Sequence, residues 1–225
     1  MIPKAILFDA YGTILSTGNG SVHAAKQILD KNRVSMDSAV FYSEWKKLHR
    51  EQMSHLPYQN ERDIFVSDLK ILYERYGIFG DYQSDAVFML QSLLNRKAFP
   101  ETSACLDSLK QQFQIYVCSN TDTEPLLQNL AYNGLCIHGI FTSEQLECYK
   151  PDPKFYQTVL ENTGLRPDEA VFIGDSYQDD IAGPKKWGIY SVLIHRNQSP
   201  VQVKDSLPDQ ILSSLPDKDM VVSWF

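Results

Sequence analysis

The chain has 225 residues, 43% hydrophobic and 22% charged, the balance of a globular protein with room for one large domain or a core plus a smaller insert. A chain of this length buries enough apolar surface to hold a core without disulfides or a structural metal. Its 21 Lys and Arg against 28 Asp and Glu give a net charge of −7, which disfavours non-specific binding to nucleic acid or anionic membrane, and no basic run offers an arm for either.

Ala5-Ile6-Leu7-Phe8 is a short, unbroken apolar run, the pattern of a strand buried on both faces. It ends at Asp9. Gly12 and the cluster Ser16-Thr17-Gly18-Asn19-Gly20 follow and read as loop. Helical character then takes over. Residues 22–31 form one helix. Phe41, Trp45, Leu48 and Met53 share one face of a second. Residues 64–76 and 86–94 repeat the spacing without strand-like alternation. Residues 17–96 are therefore assigned to an inserted helical domain, and residues 1–16 with 97–225 to a second, α/β domain.

From Phe99 onward strands alternate with helices. Residues 103–112 are helical, and Gln114-Ile115-Tyr116-Val117-Cys118 is a strand ending at Ser119-Asn120. Residues 123–132 are helical, Gly139-Ile140-Phe141-Thr142 is a strand, and residues 154–163 form a helix that stops near Gly164. Ala170-Val171-Phe172-Ile173 is a strand ending at Gly174-Asp175. A helix over 179–187 and a strand over 190–194 complete the alternation. The stretch after about residue 198 reads as a tail of turns and one or two helical pieces. This alternation implies an α/β fold with a Rossmann-like parallel sheet, helices on both faces and right-handed crossovers.

Cys105, Cys118, Cys136 and Cys148 form no CxxC pair, so a zinc knuckle or a dithiol motif is not expected. Reduced, mostly buried thiols in a cytoplasmic protein are. The opening apolar run is too short for a signal-peptide core, and no later stretch is long enough to span a membrane. The five histidines are scattered without ligand spacing. Trp45 and Trp187 are expected to pack in cores.

Ligands of open parallel sheets bind beyond the carboxyl ends of the strands. The polar residues that follow the apolar runs therefore gather at one rim: Asp9 and Thr13, then Ser119 and Asn120, then Asp175, Asp179 and Asp180. Lys150, ahead of Pro151-Asp152-Pro153, joins them. A carboxylate there can attack an electrophile and form a covalent intermediate, and Asp9 is best placed for it. Asp175 could share a Mg²⁺ ion with Asp9, since hard cations take carboxylate, water and substrate oxygens. Lys150 and the Ser119 hydroxyl could bind the transferring group.

These residues resemble the four motifs of the haloacid dehalogenase-like hydrolases. Asp9-Ala10-Tyr11-Gly12-Thr13 is similar to the first, Ser119-Asn120 to the second, Lys150-Pro151-Asp152-Pro153 to the third, and Gly174-Asp175-Ser176-Tyr177-Gln178-Asp179-Asp180 to the fourth. They stand in the family's order and span residues 5 to about 195. The resemblance implies a hydrolase with a helical cap between the first two motifs. It implies Asp9 as nucleophile, with Ser119 and Lys150 catalytic. Thr13, Ser119, Asn120 and Lys150 would bind substrate. Asp9, the carbonyl of Tyr11 and Asp175 would hold Mg²⁺, and Asp179 or Asp180 would orient Lys150 or a metal-bound water.

Phosphatases of this family carry a second Asp two residues after the nucleophile as general acid–base. Tyr11 stands there, as in the 2-haloacid dehalogenase branch, whose halide leaving group needs no proton. The fourth motif points the other way, because Asp175 restores a metal-binding carboxylate where that branch resembles Ser. The favoured expectation is Mg²⁺-dependent hydrolysis of a small phosphorylated metabolite. The alternatives are a metal-independent 2-haloacid dehalogenase and a non-catalytic binding relative. The expected partner is a small anionic molecule, not nucleic acid or membrane, acted on by a monomer or homodimer.

Overall fold

The computed structural model describes residues 3–55, 57–196 and 207–225. The chain divides into two compact units, Met1–Ser16 with Lys97–Phe225, and Thr17–Arg96.

The first unit is built on a six-stranded sheet: β1 (Ala5–Phe8), β2 (Gln114–Ser119), β3 (Gly139–Thr142), β4 (Ala170–Gly174), β5 (Tyr190–Ile194) and β6 (Gln210–Leu212). Their order is β3-β2-β1-β4-β5-β6 and every pairing is parallel. The α/β class with a parallel sheet is thus the observed one. Helices α5 (Thr102–Leu109), α6 (Thr123–Tyr132), α7 (Ser143–Leu146), α8 (Pro153–Thr163), α9 (Gly183–Lys185) and α10 (Lys218–Val222) belong to this unit, and α1 to α4 to the other.

Alternate residues of each strand point to opposite faces of a sheet. Ile6, Phe8, Ile115, Val117, Val171 and Ile173 face one side, where they meet Leu106 and Leu109 of α5 and Leu126 and Leu130 of α6. Ala5, Leu7, Cys118 and Phe172 face the other, packed against Phe155, Tyr156 and Val159 of α8. Both faces are covered, which is why these strands are apolar without interruption. β1 lies in the middle, with Phe8 level with Val117 of β2 and Ile173 of β4. The residues just beyond all three strands therefore come together at one edge. Cys105, Cys118 and Cys148 are buried free thiols, and Cys136 is exposed.

Three features depart from the expected elements. The helix expected over 179–187 is a π-helical turn, Tyr177–Ala182, running into the three-residue α9. Pro184 has no N–H to donate to residue 180, so the regular ladder cannot form across that point. The Tyr156 hydroxyl donates to the Asp179 carbonyl at 2.5 Å within this widened turn. The short α7 was not expected; a capping box between Thr142 and Gln145 starts it. In the expected tail, residues 197–206 lie outside the described residues, but residues 207–225 supply β6 as well as α10. Three residues carry no readable periodicity, and β6 exists because β5 pairs with it.

The second unit comprises α1 (Gly20–Lys31), α2 (Ser38–His55), α3 (Glu61–Tyr76) and α4 (Tyr82–Ser92). Asn60 caps α3 by accepting the Asp63 N–H, and Gly77 ends it in the left-handed conformation. Ala25, Ile28, Phe41, Trp45, Leu69 and Leu72 are central to its separate core. Two carboxylates are sealed inside. Asp68 accepts from Trp45 Nε1 at 2.9 Å and from Gln52, with His49 Nδ1 at 2.8 Å. Asp85 is held by Lys31, by Asn32 Nδ2 at 2.7 Å and by the Tyr73 hydroxyl at 2.5 Å. Among the described residues no helix is long and apolar enough to cross a membrane.

Candidate active site

Asp9 follows β1 at the centre of the carboxyl edge, and its side chain is nearly buried, with 7% of the residue exposed. Its amide donates to the Ile173 carbonyl at 2.9 Å, continuing the pairing with β4 by one residue. Lys150 Nζ donates to Asp9 Oδ1 at 2.9 Å, and the Thr13 hydroxyl to Asp9 Oδ2 at 3.3 Å. Lys150 also donates to Asp180 Oδ1 at 2.7 Å. Burial by itself would lower the Lys150 pKa, but the Asp180 and Asp9 carboxylates outweigh it and hold the group well above the usual lysine range. Lys150 is therefore a fixed ammonium between two carboxylates.

Of Asp179 and Asp180, it is Asp180 that supports Lys150. It is fully buried, and its second oxygen accepts the Ser176 N–H at 2.9 Å. The widened turn delivers it to this position. Asp179 turns the other way, accepting the Ser176 hydroxyl at 3.0 Å. A Cβ on Gly174 would fall on the Asp180 carboxyl, so the bare backbone at the end of β4 makes the space for it.

Asp175 is exposed, beside the loop after β1. A Cβ on Gly12 would fall on the Asp175 carboxylate, and Gly12 has a φ of 99°, which favours glycine. One carboxylate oxygen each from Asp9, Asp175 and Asp180 lie within 4.8 Å of one another. This all-oxygen set suits a hard divalent cation. Asp180 is wholly buried and both of its oxygens serve Lys150 and the Ser176 amide, whereas Asp175 is exposed, so Asp175 is the better partner for Asp9 as a candidate ligand, with the Tyr11 carbonyl in the adjoining loop.

Ser119 ends β2, almost fully buried and level with Thr142 of β3. Thr13 is wholly buried, and its hydroxyl serves Asp9. The Asn120 side chain is spent on the Lys150 backbone: it accepts the Lys150 N–H at 2.7 Å and donates to the Lys150 carbonyl at 2.9 Å. Thr13 and Asn120 thus stand as supports of Asp9 and Lys150. The Lys150–Pro151 peptide is cis. Cys118, one residue before Ser119, is no rival nucleophile: burial pushes its thiol far up and keeps it protonated, despite the opposing pull of Lys150.

The Tyr11 hydroxyl accepts from Asn129 Nδ2 of α6 at 3.0 Å, and its ring packs on the sheet-face core. Sequence reasoning missed Asn129, which is wholly buried and 118 positions away. It also missed Arg196, whose Nη2 donates to the Thr13 carbonyl at 2.8 Å. Neither has a local pattern that could have flagged it.

A buried aspartate at the carboxyl edge of a parallel sheet, joined by a lysine and further carboxylates, places the protein among α/β proteins that assemble a polar site where their strands end. The chain belongs to the haloacid dehalogenase-like hydrolase family, which matches residues 3–188. It is similar to (S)-2-haloacid dehalogenase 4A of Burkholderia cepacia, 26% identical over 204 residues that cover 88% of this chain and 85% of the relative. It is also similar to glyceraldehyde 3-phosphate phosphatase of Methanothermobacter thermautotrophicus, 26% identical over 199 residues that cover 85% of each. The L-2-haloacid dehalogenase structure from Xanthobacter autotrophicus shares its fold, with a TM-score of 0.82, 19% identity and 98% of each chain covered. The protein is therefore a hydrolase whose relatives include both dehalogenases and phosphatases.

Proposed function

We propose that the protein is a Mg²⁺-dependent phosphatase of a small phosphorylated metabolite, with Asp9 as nucleophile and residues 17–96 as its cap domain. The convergence of Asp9, Asp175 and Asp180 within 4.8 Å carries this reading. These three carboxyl groups outnumber the single Lys150 ammonium. An incoming phosphate adds more negative charge at short range, where repulsion is strong. When bound by Asp9, the Tyr11 carbonyl and Asp175, Mg²⁺ would supply the offsetting charge. Asp9 attacks phosphorus, its oxygen–phosphorus bond forms as the ester oxygen–phosphorus bond breaks, and the leaving alkoxide takes its proton from water. Water then hydrolyses the aspartyl phosphate and regenerates the carboxylate. Lys150 and Ser119 hold the phosphoryl oxygens. The anionic small molecule is the only partner this reading requires. Four free cysteines suit a reducing cytoplasm.

One observation favours a second reading. Tyr11 fills the usual acid–base position and its hydroxyl is engaged with Asn129, so a leaving group that needs no proton is attractive. A halide from a 2-haloacid is such a group, and the Burkholderia cepacia relative is named for that activity.

The test is hydrolysis of p-nitrophenyl phosphate and of 2-chloropropionate, each with Mg²⁺ and with a chelator. We expect phosphate release that disappears with chelator and returns on adding Mg²⁺. Chelator-resistant chloride release, without phosphate release, would overturn the phosphatase reading in favour of the dehalogenase. Asp9→Asn is expected to abolish whichever activity is found.

A further inference from the structure

We propose that Arg196, at the carboxyl end of β5, is a positioning residue that holds the Asp9 loop in its reactive geometry from behind. The proposal rests on the reading of Asp9 as nucleophile.

Among the described residues the guanidinium makes three contacts. Nη2 donates to the Thr13 carbonyl at 2.8 Å, Nη1 donates to Glu101 Oε1 at 2.5 Å, and the group lies over the Phe99 ring at 3.6 Å. Each acts on a separate part of the same planar group. Glu101 fixes one end of the fork, and Phe99 fixes its plane by cation–π contact. The remaining end is thereby aimed at a single backbone carbonyl. Burial by itself would raise the Glu101 pKa, but the hydrogen bond and charge of Arg196, together with backbone hydrogen bonds, outweigh it and hold the carboxyl below its usual range. Glu101 thus stays ionised as the anchor.

Thr13 is the residue that matters. Its hydroxyl donates to Asp9 Oδ2 while Lys150 occupies Oδ1. Lys150 is itself fixed by Asp180 and by the Asn120 clamp. The two oxygens of Asp9 are therefore set by two chains of contacts, one ending at Asp180 and the other passing through Thr13 to Arg196. The rest of the loop is tied down without Arg196. Gly12 N–H donates to the Leu15 carbonyl at 2.7 Å, Thr102 Oγ1 to the Ile14 carbonyl at 2.9 Å, and Ser16 N–H to the Lys97 carbonyl at 2.8 Å. Removing the guanidinium should free the Thr13 peptide while leaving the fold in place. Misplacing a reacting group by about 1 Å costs up to roughly 100-fold in rate.

The experiment compares wild type, Arg196→Ala, Arg196→Lys and Asp9→Asn. Crystal structures of wild type and Arg196→Ala report the Thr13–Asp9 contact, and kinetics report kcat and KM on whichever of the two assay substrates the wild type hydrolyses. We expect Arg196→Ala to lengthen the contact beyond about 3.5 Å. We also expect kcat to fall by about tenfold or more, with KM within about threefold of wild type. Arg196→Lys, which keeps the charge but not the fork, should recover part of kcat. A residue with only a structural role would lower the melting temperature and leave kcat per folded molecule unchanged. The proposal is overturned by an unchanged Thr13–Asp9 contact, or by an unchanged kcat while Asp9→Asn is inactive. Should Arg196→Ala fail to fold, wild-type kcat in Arg196→Lys overturns it. Full turnover in Asp9→Asn instead removes the nucleophile reading, while the crystallographic contact still decides whether Arg196 positions the loop.

Discussion

Lys150 joins Asp9 to Asp180 in a buried ion cluster with almost no solvent access. Such a cluster contributes little net stability while intact, because desolvation offsets the attraction, but it is costly to break from one side. Lys150→Met keeps the volume of the side chain and leaves Asp9 and Asp180 with no shared counter-charge. We expect it to lose about 3–5 kcal/mol in urea unfolding, with part regained in a Lys150→Met, Asp180→Asn double variant. Equal stability of Lys150→Met and wild type would contradict the geometry described. Gly12 makes a second residue-scale case. Gly12→Ala adds a Cβ where the Asp175 carboxylate lies, at a φ of 99°. The strained backbone alone should cost about 1–3 kcal/mol. Displacement of Asp175 should also weaken Mg²⁺ binding measured by calorimetry; an affinity matching wild type would argue against Asp175 as a ligand.

The helices of the insert are tied together by buried charge as well as by apolar packing. Asp85 of α4 receives Lys31 of α1, the adjoining Asn32 and Tyr73 of α3. Burial by itself would raise the Asp85 pKa, but the hydrogen bonds from Lys31, Tyr73 and Asn32 outweigh it and hold the carboxyl below its usual range. The sign follows. An unfolded Asp titrates near about 3.9, so the contribution of Asp85 is complete above that pH and is lost as pH falls through the lower folded value. In urea midpoints taken at stepped pH, Asp85→Asn should be less stable than wild type at neutral pH. The gap should narrow as pH falls below the usual carboxylate range, and a gap that stays constant with pH would rule out this carboxylate as the source. Asp68 shows where such groups can be read in advance. It shares a helical stripe with Ile64 and Leu72 on α3, and a carboxylate in an apolar register calls for buried donors.

At the scale of the whole molecule, the insert leaves and re-enters the α/β unit at one place. Ser16 N–H donates to the Lys97 carbonyl at 2.8 Å, and Leu15 bridges Ala98. Because the two ends are already adjacent, replacing residues 17–96 with a linker of about four residues should leave the sheet able to fold. Cooperative thermal unfolding by circular dichroism would bear this out, and a non-cooperative melt would show that the α/β unit depends on the insert. The sequence by itself determined five of the six strands, their parallel class and the set of polar residues at their carboxyl ends. Runs such as Ala5-Ile6-Leu7-Phe8 and Ala170-Val171-Phe172-Ile173 are short-range patterns, and a buried strand requires them whatever its neighbours are. The tertiary structure decided what those polar residues do to one another. It assigned Asp180 rather than Asp179 to Lys150, turned the Tyr11 hydroxyl toward Asn129, spent Asn120 on the Lys150 backbone, and brought Arg196 behind Thr13 across 183 positions. Hydrogen bonds between distant segments depend on which strand lies beside which and on a widened turn at Pro184. Neither leaves a periodic trace along the chain.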